Sequence, residues 1–205
     1  MKILPRYCQK DGVVAVGEIG YDDMTDTEER FFAEQMLIAK EIGLPILIHT
    51  PHRDKKRGTE RTIDLIKQLK LDEKMILIDH LNEQTLPLVL EQTECWRGHS
   101  VYPKTKMSED RMVALLQKYG TEKMVVNSAA DWGQSDPLKV PKTGQAMLKA
   151  GFSEEDVETV LFTNPIMFYA QSGRISIEEV TALKVDQTQL WEDNSVLRGQ
   201  SPVVE

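Results

Sequence analysis

Short apolar runs alternate along the chain with longer segments in which apolar residues recur at helical intervals. The runs are rich in β-branched residues and are closed by glycine or polar residues, which is typical of buried strands. They predict five strands, at residues 13–17, 45–48, 75–78, 95–101 and 124–126, and the fourth has the weakest pattern.

The longer segments carry the start and stop signals of helices. Thr25–Glu28 has the spacing of a capping box, and Gly43 ends the helix that follows. Thr59 is predicted to cap a second helix, and Asn164–Pro165 to be the cap and first residue of the last one. Further helices are predicted at 84–92, from Ser108 to Gly120, within 136–150 and from Ser153.

This alternation predicts an α/β fold, because strands separated by helices pair in parallel through right-handed crossovers. Beyond about residue 183 the periodicity disappears and the sequence is polar. That segment is predicted to be a tail that either wraps the domain or is disordered.

Charge and composition exclude several classes of protein. The net charge of −8 excludes a protein whose whole surface clamps nucleic acid. No apolar run approaches the ~18 residues of a membrane-spanning helix, and the segment Met1–Arg6 is too poor in apolar residues for a secretory signal. Cys8 and Cys95 form neither a disulfide framework nor a zinc-finger spacing. These features predict a cytoplasmic protein that does not bind membranes.

Polar residues with metal-binding chemistry lie where the predicted strands end. Glu18 follows the first strand, His49 the second, Asp79–His80 the third, and Asp131 comes after the fifth. In parallel α/β folds the ligand binds beyond the carboxyl ends of the strands, so these side chains are expected to converge. A single histidine in such a place is usually a hydrogen-bonded loop residue, and it is the convergence that favours a metal site.

Imidazole nitrogens and carboxylate oxygens together suit zinc, manganese or iron, whereas magnesium prefers more oxygen ligands. Such a site polarises an ester or amide and makes hydroxide available at neutral pH. His99 lies inside a strand, so core packing or a hydrogen bond to a ligand is favoured over metal binding for it.

The loop after His49 contains the densest basic stretch of this acidic chain, at residues 52–57. Arg53 and His52 are candidate substrate-binding residues, because arginine holds phosphate oxygens in two-point contacts. Lys55 and Lys56 are expected to be solvated. Lys104 and Lys106 are expected to extend the patch.

The motifs resemble those of a known family. The segments 17–22 (GEIGYD), 45–49 (PILIH) and 78–80 (IDH) are similar to the successive motifs of the TatD-related metal-dependent hydrolases. This resemblance, which runs from about residue 11 to about residue 174, implies a TIM-type (β/α)8 barrel of the amidohydrolase-like superfamily. It assigns residues 1–174 to a partial barrel domain and 175–205 to a C-terminal extension.

The resemblance also implies a site and an activity. Glu18 would bridge two divalent metal ions (zinc, manganese or magnesium), and His49 and His80 would each bind one of them. Asp131 would bind metal and help to deprotonate the attacking water, so Asp131 and Glu18 are the predicted catalytic residues. The implied substrates are small molecules with ester or phosphoester bonds, or nucleic acid, as in the deoxyribonuclease members.

The sequence departs from the family pattern in two places. Asp131 comes later than the acid of the usual last motif, which leaves Asp136 as an alternative. The His-x-His pair that opens the family pattern is absent from the chain, so three strand–helix units of about 30 residues each are predicted to be missing from its start. Five of eight strands leave two open edges. Either another chain, such as a second copy in a homo-oligomer, supplies the missing third, or the sheet opens into a different arrangement, or the chain aggregates. Little activity is expected for this chain alone.

Two other functions compete with a hydrolase. One is a non-catalytic binding or assembly protein that keeps the barrel with a degenerate metal site. The other is a metal-free lyase or aldolase, which needs a buried lysine at a strand end as Schiff-base former, and no predicted strand ends in lysine.

Overall fold

The chain folds around a five-stranded parallel sheet. The computed structural model describes residues 2–128 and 134–183. The strands are β1 (Val16–Gly20), β2 (Ile46–His49), β3 (Ile76–Ile78), β4 (Trp96–Ser100) and β5 (Met124–Asn127). They lie in the order β1-β2-β3-β4-β5, and each pairs in parallel with the next.

Helices connect and follow the strands. They are α1 (Leu4–Cys8), α2 (Asp26–Ile42), α3 (Lys55–Gln68), α4 (Leu86–Gln92), α5 (Glu109–Tyr119), α6 (Lys139–Lys149), α7 (Glu154–Glu158), α8 (Asn164–Ala170) and α9 (Ile177–Ala182). A 3₁₀ turn at Glu73–Met75 precedes β3, and a π-helical turn at Thr159–Thr163 joins α7 to α8. In the described ranges, no helix has the length and apolar content needed to cross a bilayer. The predicted tail beyond residue 183 lies outside the described residues.

The strand order confirms the predicted fold class, an incomplete TIM-type barrel. Each crossover adds its strand next to the previous one, as in a (β/α)8 barrel, whereas a doubly wound sheet reverses direction at a switch point. Within the described residues the sheet does not close, and β1 and β5 form its edges.

The two faces of the sheet belong to different cores. The larger core joins one face to the helices, through side chains such as Ile48, Ile78, Phe32 and Ile63. The smaller core lies on the opposite face, where the strand side chains Leu77, Trp96 and Val125 meet Phe168 of α8. The rings of Trp96 and Phe168 pack edge to face at 5.8 Å. The face of the sheet that α8 covers corresponds to the interior of a complete barrel. The contacts with α8 leave the carboxyl ends of the strands available to form a site.

Two predicted boundaries are wrong. β1 begins at Val16 and contains Glu18, which was expected to follow the strand, because pairing with β2 continues to Gly20 opposite His49. Helix α3 begins at Lys55, so Thr59 is interior and does not cap the helix. The Thr59 hydroxyl donates back to the carbonyl of Lys55 at 2.9 Å, as threonine often does inside a helix.

Helix α8 begins at Asn164 as predicted, but Asn164 does not cap it. Asn164 continues the π-helical turn with helical dihedral angles, so Glu154 to Ala170 forms one helical stretch. Its side-chain amide donates to the carbonyls of Thr121 and Met124, both at 2.8 Å. Asn164 therefore fixes the helix against the start of β5.

The predicted capping box at the start of α2 is confirmed. Thr25 Oγ1 accepts from the Glu28 backbone N–H, and the Glu28 carboxylate accepts from the Thr25 N–H. We expect Thr25→Ala to lower the free energy of unfolding by about 1 kcal/mol in urea denaturation, because one N–H of the first turn loses its partner. The exposed loop residue Thr105 provides the control, and equal effects of Thr105→Ala and Thr25→Ala would contradict the assignment.

Hydrogen bonds from backbone N–H groups, first that of Thr25, lower the pKa of Glu28 to about 2. A carboxyl with a lowered pKa in the folded state adds stability above its unfolded pKa. We therefore expect the capping contribution of Glu28 to be complete above pH 4.5 and to be lost as the pH falls toward 2. This contribution is measured by comparing the urea midpoints of the wild type and Glu28→Gln across this pH range. A difference between the midpoints that does not change with pH would contradict the prediction.

Candidate metal centre

Three side chains meet at the carboxyl ends of the first three strands. Glu18 lies in β1, His49 is the last residue of β2, and His80 follows β3 by two residues. Glu18 Oε1 lies 2.5 Å from His80 Nε2 and 3.3 Å from His49 Nδ1. Each residue offers one ligand atom, and the three atoms lie within 4.8 Å of one another. We call these three residues the triad.

The orientation of His80 follows from a chain of hydrogen bonds that begins at Asp79. The Asp79 carboxylate can only accept, so the Asn127 group 2.8 Å from it is the amide NH₂. The other end of that amide, Oδ1, therefore accepts from the Ser100 hydroxyl at 2.6 Å. Ser100 Oγ is then left to accept from His80 Nδ1–H, also at 2.6 Å.

This chain assigns the nitrogens of His80 to different roles. Nδ1 keeps its proton for Ser100, and Nε2 points at Glu18. His49 is arranged in the opposite sense: Nε2–H donates to Asp22 Oδ1 at 3.0 Å, and Nδ1 faces Glu18. Both rings are thus held from behind by an acceptor, as in protein metal sites where a second group fixes the ligand's tautomer.

The triad is strongly coupled electrostatically. Hydrogen bonds from His49 and His80 hold the pKa of Glu18 well below its usual range, against the opposing effect of burial. The bond to Glu18 is also the main cause of a raised pKa at His49. A metal ion binds only a deprotonated ring nitrogen, so binding at His49 Nδ1 and His80 Nε2 is expected to release any protons that these nitrogens carry.

A cavity of about 530 Å³ adjoins the triad. Its lining includes the polar residues Glu18, His80 and Asn127 and the largely apolar side chains Leu161 and Tyr169. Such a mixed lining is typical of sites for small molecules, in which polar groups orient a largely apolar ligand.

The other candidate residues lie in different surroundings. The His52 ring is 6.1 Å from that of His49, and His52 lies at the edge of the site. Arg53 is 89% exposed and extends toward Asp23, 4.0 Å away. Asp136 forms an ion pair with Lys142 and is not part of the triad. Asp131 lies outside the described residues, so its assignment as a ligand stays a prediction.

His99 is fully buried in β4, and among the described residues its ring nitrogens have no hydrogen-bond partner that meets ordinary geometry. Burial lowers its pKa to about 4, so the ring is neutral at physiological pH. His99 lies in the interior, as the sequence favoured, and outside the triad.

Sequence reasoning missed three residues that bear on the site. Ser100 and Asn127 end β4 and β5, so the same rule that found His49 could have found them. Lys55 was expected to be solvated, but it folds back against Thr50, one residue beyond His49. No pattern in the sequence indicates that contact.

Comparison with known proteins agrees with this arrangement. The profile of the family described as TatD related DNase matches residues 1–170. An uncharacterized metal-dependent hydrolase of Methanocaldococcus jannaschii is 28% identical over 169 residues, which cover 82% of this chain and 66% of that protein.

Among solved structures, a TatD-like protein from Archaeoglobus fulgidus superposes with a TM-score of 0.65 at 27% identity, covering 82% of this chain and 65% of that one. A β-aspartyl dipeptidase from Fervidobacterium islandicum gives 0.62 at 16% identity, with 80% and 50% covered. The phosphotriesterase of Mycobacterium tuberculosis gives 0.58 at 14% identity, with 70% and 51% covered. The last two likenesses concern the fold alone.

The chain thus spans about two thirds of the length of its two archaeal relatives. The predicted family is confirmed, because the profile covers most of the sequence and the fold agrees with it. The chain belongs to the TatD related DNase family.

Proposed function

We propose that the triad binds a divalent metal ion and serves the hydrolysis of an ester or phosphoester bond. The observation that carries this proposal is the opposed orientation of His49 and His80. Each ring uses one nitrogen on an outer acceptor, Asp22 or Ser100, and directs the other at Glu18. Rings that only packed in a loop would have no reason to share one carboxylate.

The donor set fits a divalent ion of intermediate softness. Two imidazole nitrogens and one carboxylate oxygen suit zinc, manganese or iron. Side-chain exposures of 42% for Glu18, 20% for His49 and 9% for His80 leave the site accessible from the Glu18 side. When bound, the metal would polarise the scissile bond and lower the pKa of a coordinated water toward ~7.

The protein's own residues hold and orient the reactants. Glu18, His49 and His80 would hold the ion, and Ser100 and Asn127 keep His80 in position. The apolar side chains that line the cavity would hold the substrate and limit access of water. Asp131 remains our proposed proton acceptor and further ligand, and a second metal ion, a bridging role for Glu18 and substrate binding by Arg53 and His52 remain proposals from the family resemblance.

The test is metal binding followed by hydrolysis. Protein freed of metal by chelation is titrated with Zn²⁺ against a chromophoric competitor, and we expect at least one tight equivalent and proton release into weak buffer. The loaded protein is then assayed on p-nitrophenyl esters and on bis-p-nitrophenyl phosphate. Absence of tight zinc binding would overturn the proposal and favour a binding or assembly protein with a degenerate site.

Replacing Ser100 should weaken metal binding without removing a ligand. We expect Ser100→Ala to lower zinc affinity about tenfold to a hundredfold, because His80 Nδ1–H loses the acceptor that fixes its ring. Ser100→Thr retains the hydroxyl and should restore affinity. ¹⁵N NMR of the imidazoles should show the Nδ1–H form of His80 in the zinc-loaded wild type and Ser100→Thr. Unchanged affinity and tautomer in Ser100→Ala would contradict the role.

A further inference from the structure

A small cavity behind His80 is lined by an unusual share of cationic side chains. It measures about 50 Å³, and its walls include His52, Lys55 and Lys106. His80, Ser100 and Lys106 also line the large cavity beside the triad, so the two spaces adjoin each other at these residues. We call this small space the cationic pocket.

Lys55 is held in the cationic pocket by neutral groups. Its ammonium donates to Thr50 Oγ1 at 2.9 Å and to the Thr50 carbonyl at 3.3 Å. Thr50 is fully buried, and its hydroxyl donates onward to the Asp79 carbonyl. In the part of the chain that the structure describes, no carboxylate lies within ion-pair distance of Lys55 Nζ. The ammonium is therefore oriented, and one of its three N–H bonds has no acceptor in these contacts.

A second ammonium opposes the first. Burial and then the charge of Lys106 lower the pKa of Lys55 to about 8. Lys106 Nζ lies 3.3 and 3.5 Å from the two ring nitrogens of His80 and 4.8 Å over the Tyr102 ring. Like charges in a half-buried space repel each other, and at Lys55 the charge of Asp79 opposes this effect. An anion held between the two ammonium groups would be attracted by both of them.

We propose that the cationic pocket binds a terminal phosphoryl group of the substrate, which places the bond to be cleaved over the triad. This inference rests on the proposed function, whose substrate it narrows to phosphorylated compounds. A space of about 50 Å³ holds one tetrahedral oxyanion and is too small for a nucleoside. Ammonium groups act on phosphate as point charges, and two of them can approach one tetrahedral oxyanion from different directions.

The test measures binding of inorganic phosphate by ³¹P NMR in the presence of chelator, so that phosphate cannot bind a metal ion. We expect Lys55→Met and Lys106→Met each to weaken phosphate binding at least tenfold. Lys56→Met is the matched control, since Lys56 is the next residue of α3, is 62% exposed and pairs with Glu60. It should change phosphate affinity less than twofold.

Zinc titration of the same proteins separates the two proposals. Phosphate binding that depends on Lys55 in a protein that binds no zinc would retain the cationic pocket and overturn the metal centre. Zinc binding with phosphate affinity unchanged in Lys55→Met, or reduced equally by Lys56→Met, would overturn the cationic pocket alone.

Oligonucleotides with and without a 5′-phosphate identify the source of the phosphoryl group. A Lys55-dependent preference for the 5′-phosphorylated strand supports a terminal group. Equal, Lys55-dependent binding of both strands would overturn the terminal assignment, because internal phosphates would then suffice.

Discussion

His80→Ala is expected to lower zinc affinity about a hundredfold to a thousandfold. Zinc bound by four protein ligands gains roughly 10–16 kcal/mol, so one ligand accounts for about 2.5–4 kcal/mol. His80 is also the least exposed member of the triad, and Glu18 Oε1 is closer to it than to His49. Its loss removes a ligand and also leaves Ser100 Oγ without its donor. Competitive titration against a chromophoric chelator measures the change.

His52→Ala is the matched control for this prediction. His52 is exposed, and its ring lies 6.1 Å from that of His49, so it shares the neighbourhood of the triad without belonging to it. Its replacement should leave zinc affinity within about threefold of the wild-type value. Equal losses in both variants would mean that general charge, and not the triad, determines metal uptake. Circular dichroism of His80→Ala would show whether the fold is retained.

The convergence of the triad was predictable from the sequence because it depends on topology. Alternation of strands and helices implies parallel pairing, and parallel strands place their carboxyl ends at one edge. Glu18, His49 and His80 each come at such an end, so a correct strand assignment places them together even with boundaries wrong by a few residues. The misplaced start of β1 did not disturb this conclusion.

The surroundings of Lys55 were not predictable in the same way, because they depend on tertiary packing. The basic stretch at residues 52–57 was placed in the loop after His49, whereas the chain is already helical from Lys55. A Cβ at Gly58 would lie 2.2 Å from Pro51 Cγ, so this glycine serves close packing of α3 on Pro51. In this first turn of α3 the Lys55 ammonium contacts Thr50. Only the folded chain shows which role the glycine has.

Asn164 shows the same limit in a helix. Asparagine followed by proline is a typical helix start, and that local preference is strong. Here the side chain instead satisfies two backbone carbonyls near β5, a contact across 40 residues or more of sequence. The Asn164 side chain could either cap a helix or bond to distant carbonyl groups. Here it bonds to the distant carbonyls, since carbonyl groups in the interior are nearly always hydrogen-bonded.

Gly20→Ala is expected to destabilise the fold by about 3 kcal/mol or more and to abolish tight zinc binding. Gly20 lies opposite His49 in the β1–β2 pair. A Cβ at Gly20 would lie 2.1 Å from the His49 carbonyl oxygen and 3.0 Å from its carbonyl carbon. Both are backbone atoms, so no rotamer change relieves the overlap. β1 and β2 must separate where they carry Glu18 and His49. Urea denaturation and zinc titration measure the two effects.

Gly12→Ala distinguishes this steric effect from the general cost of replacing a glycine. Gly12 has a φ of +80°, and a Cβ there would meet no atom within 4 Å. Its replacement should cost about 1–2 kcal/mol through backbone strain and leave zinc affinity unchanged, because the site is not displaced. Gly20, in contrast, has a φ outside the left-handed region but leaves no space for a Cβ atom. If Gly20→Ala were no more harmful than Gly12→Ala, the close approach of β1 to β2 would not be what positions Glu18 and His49.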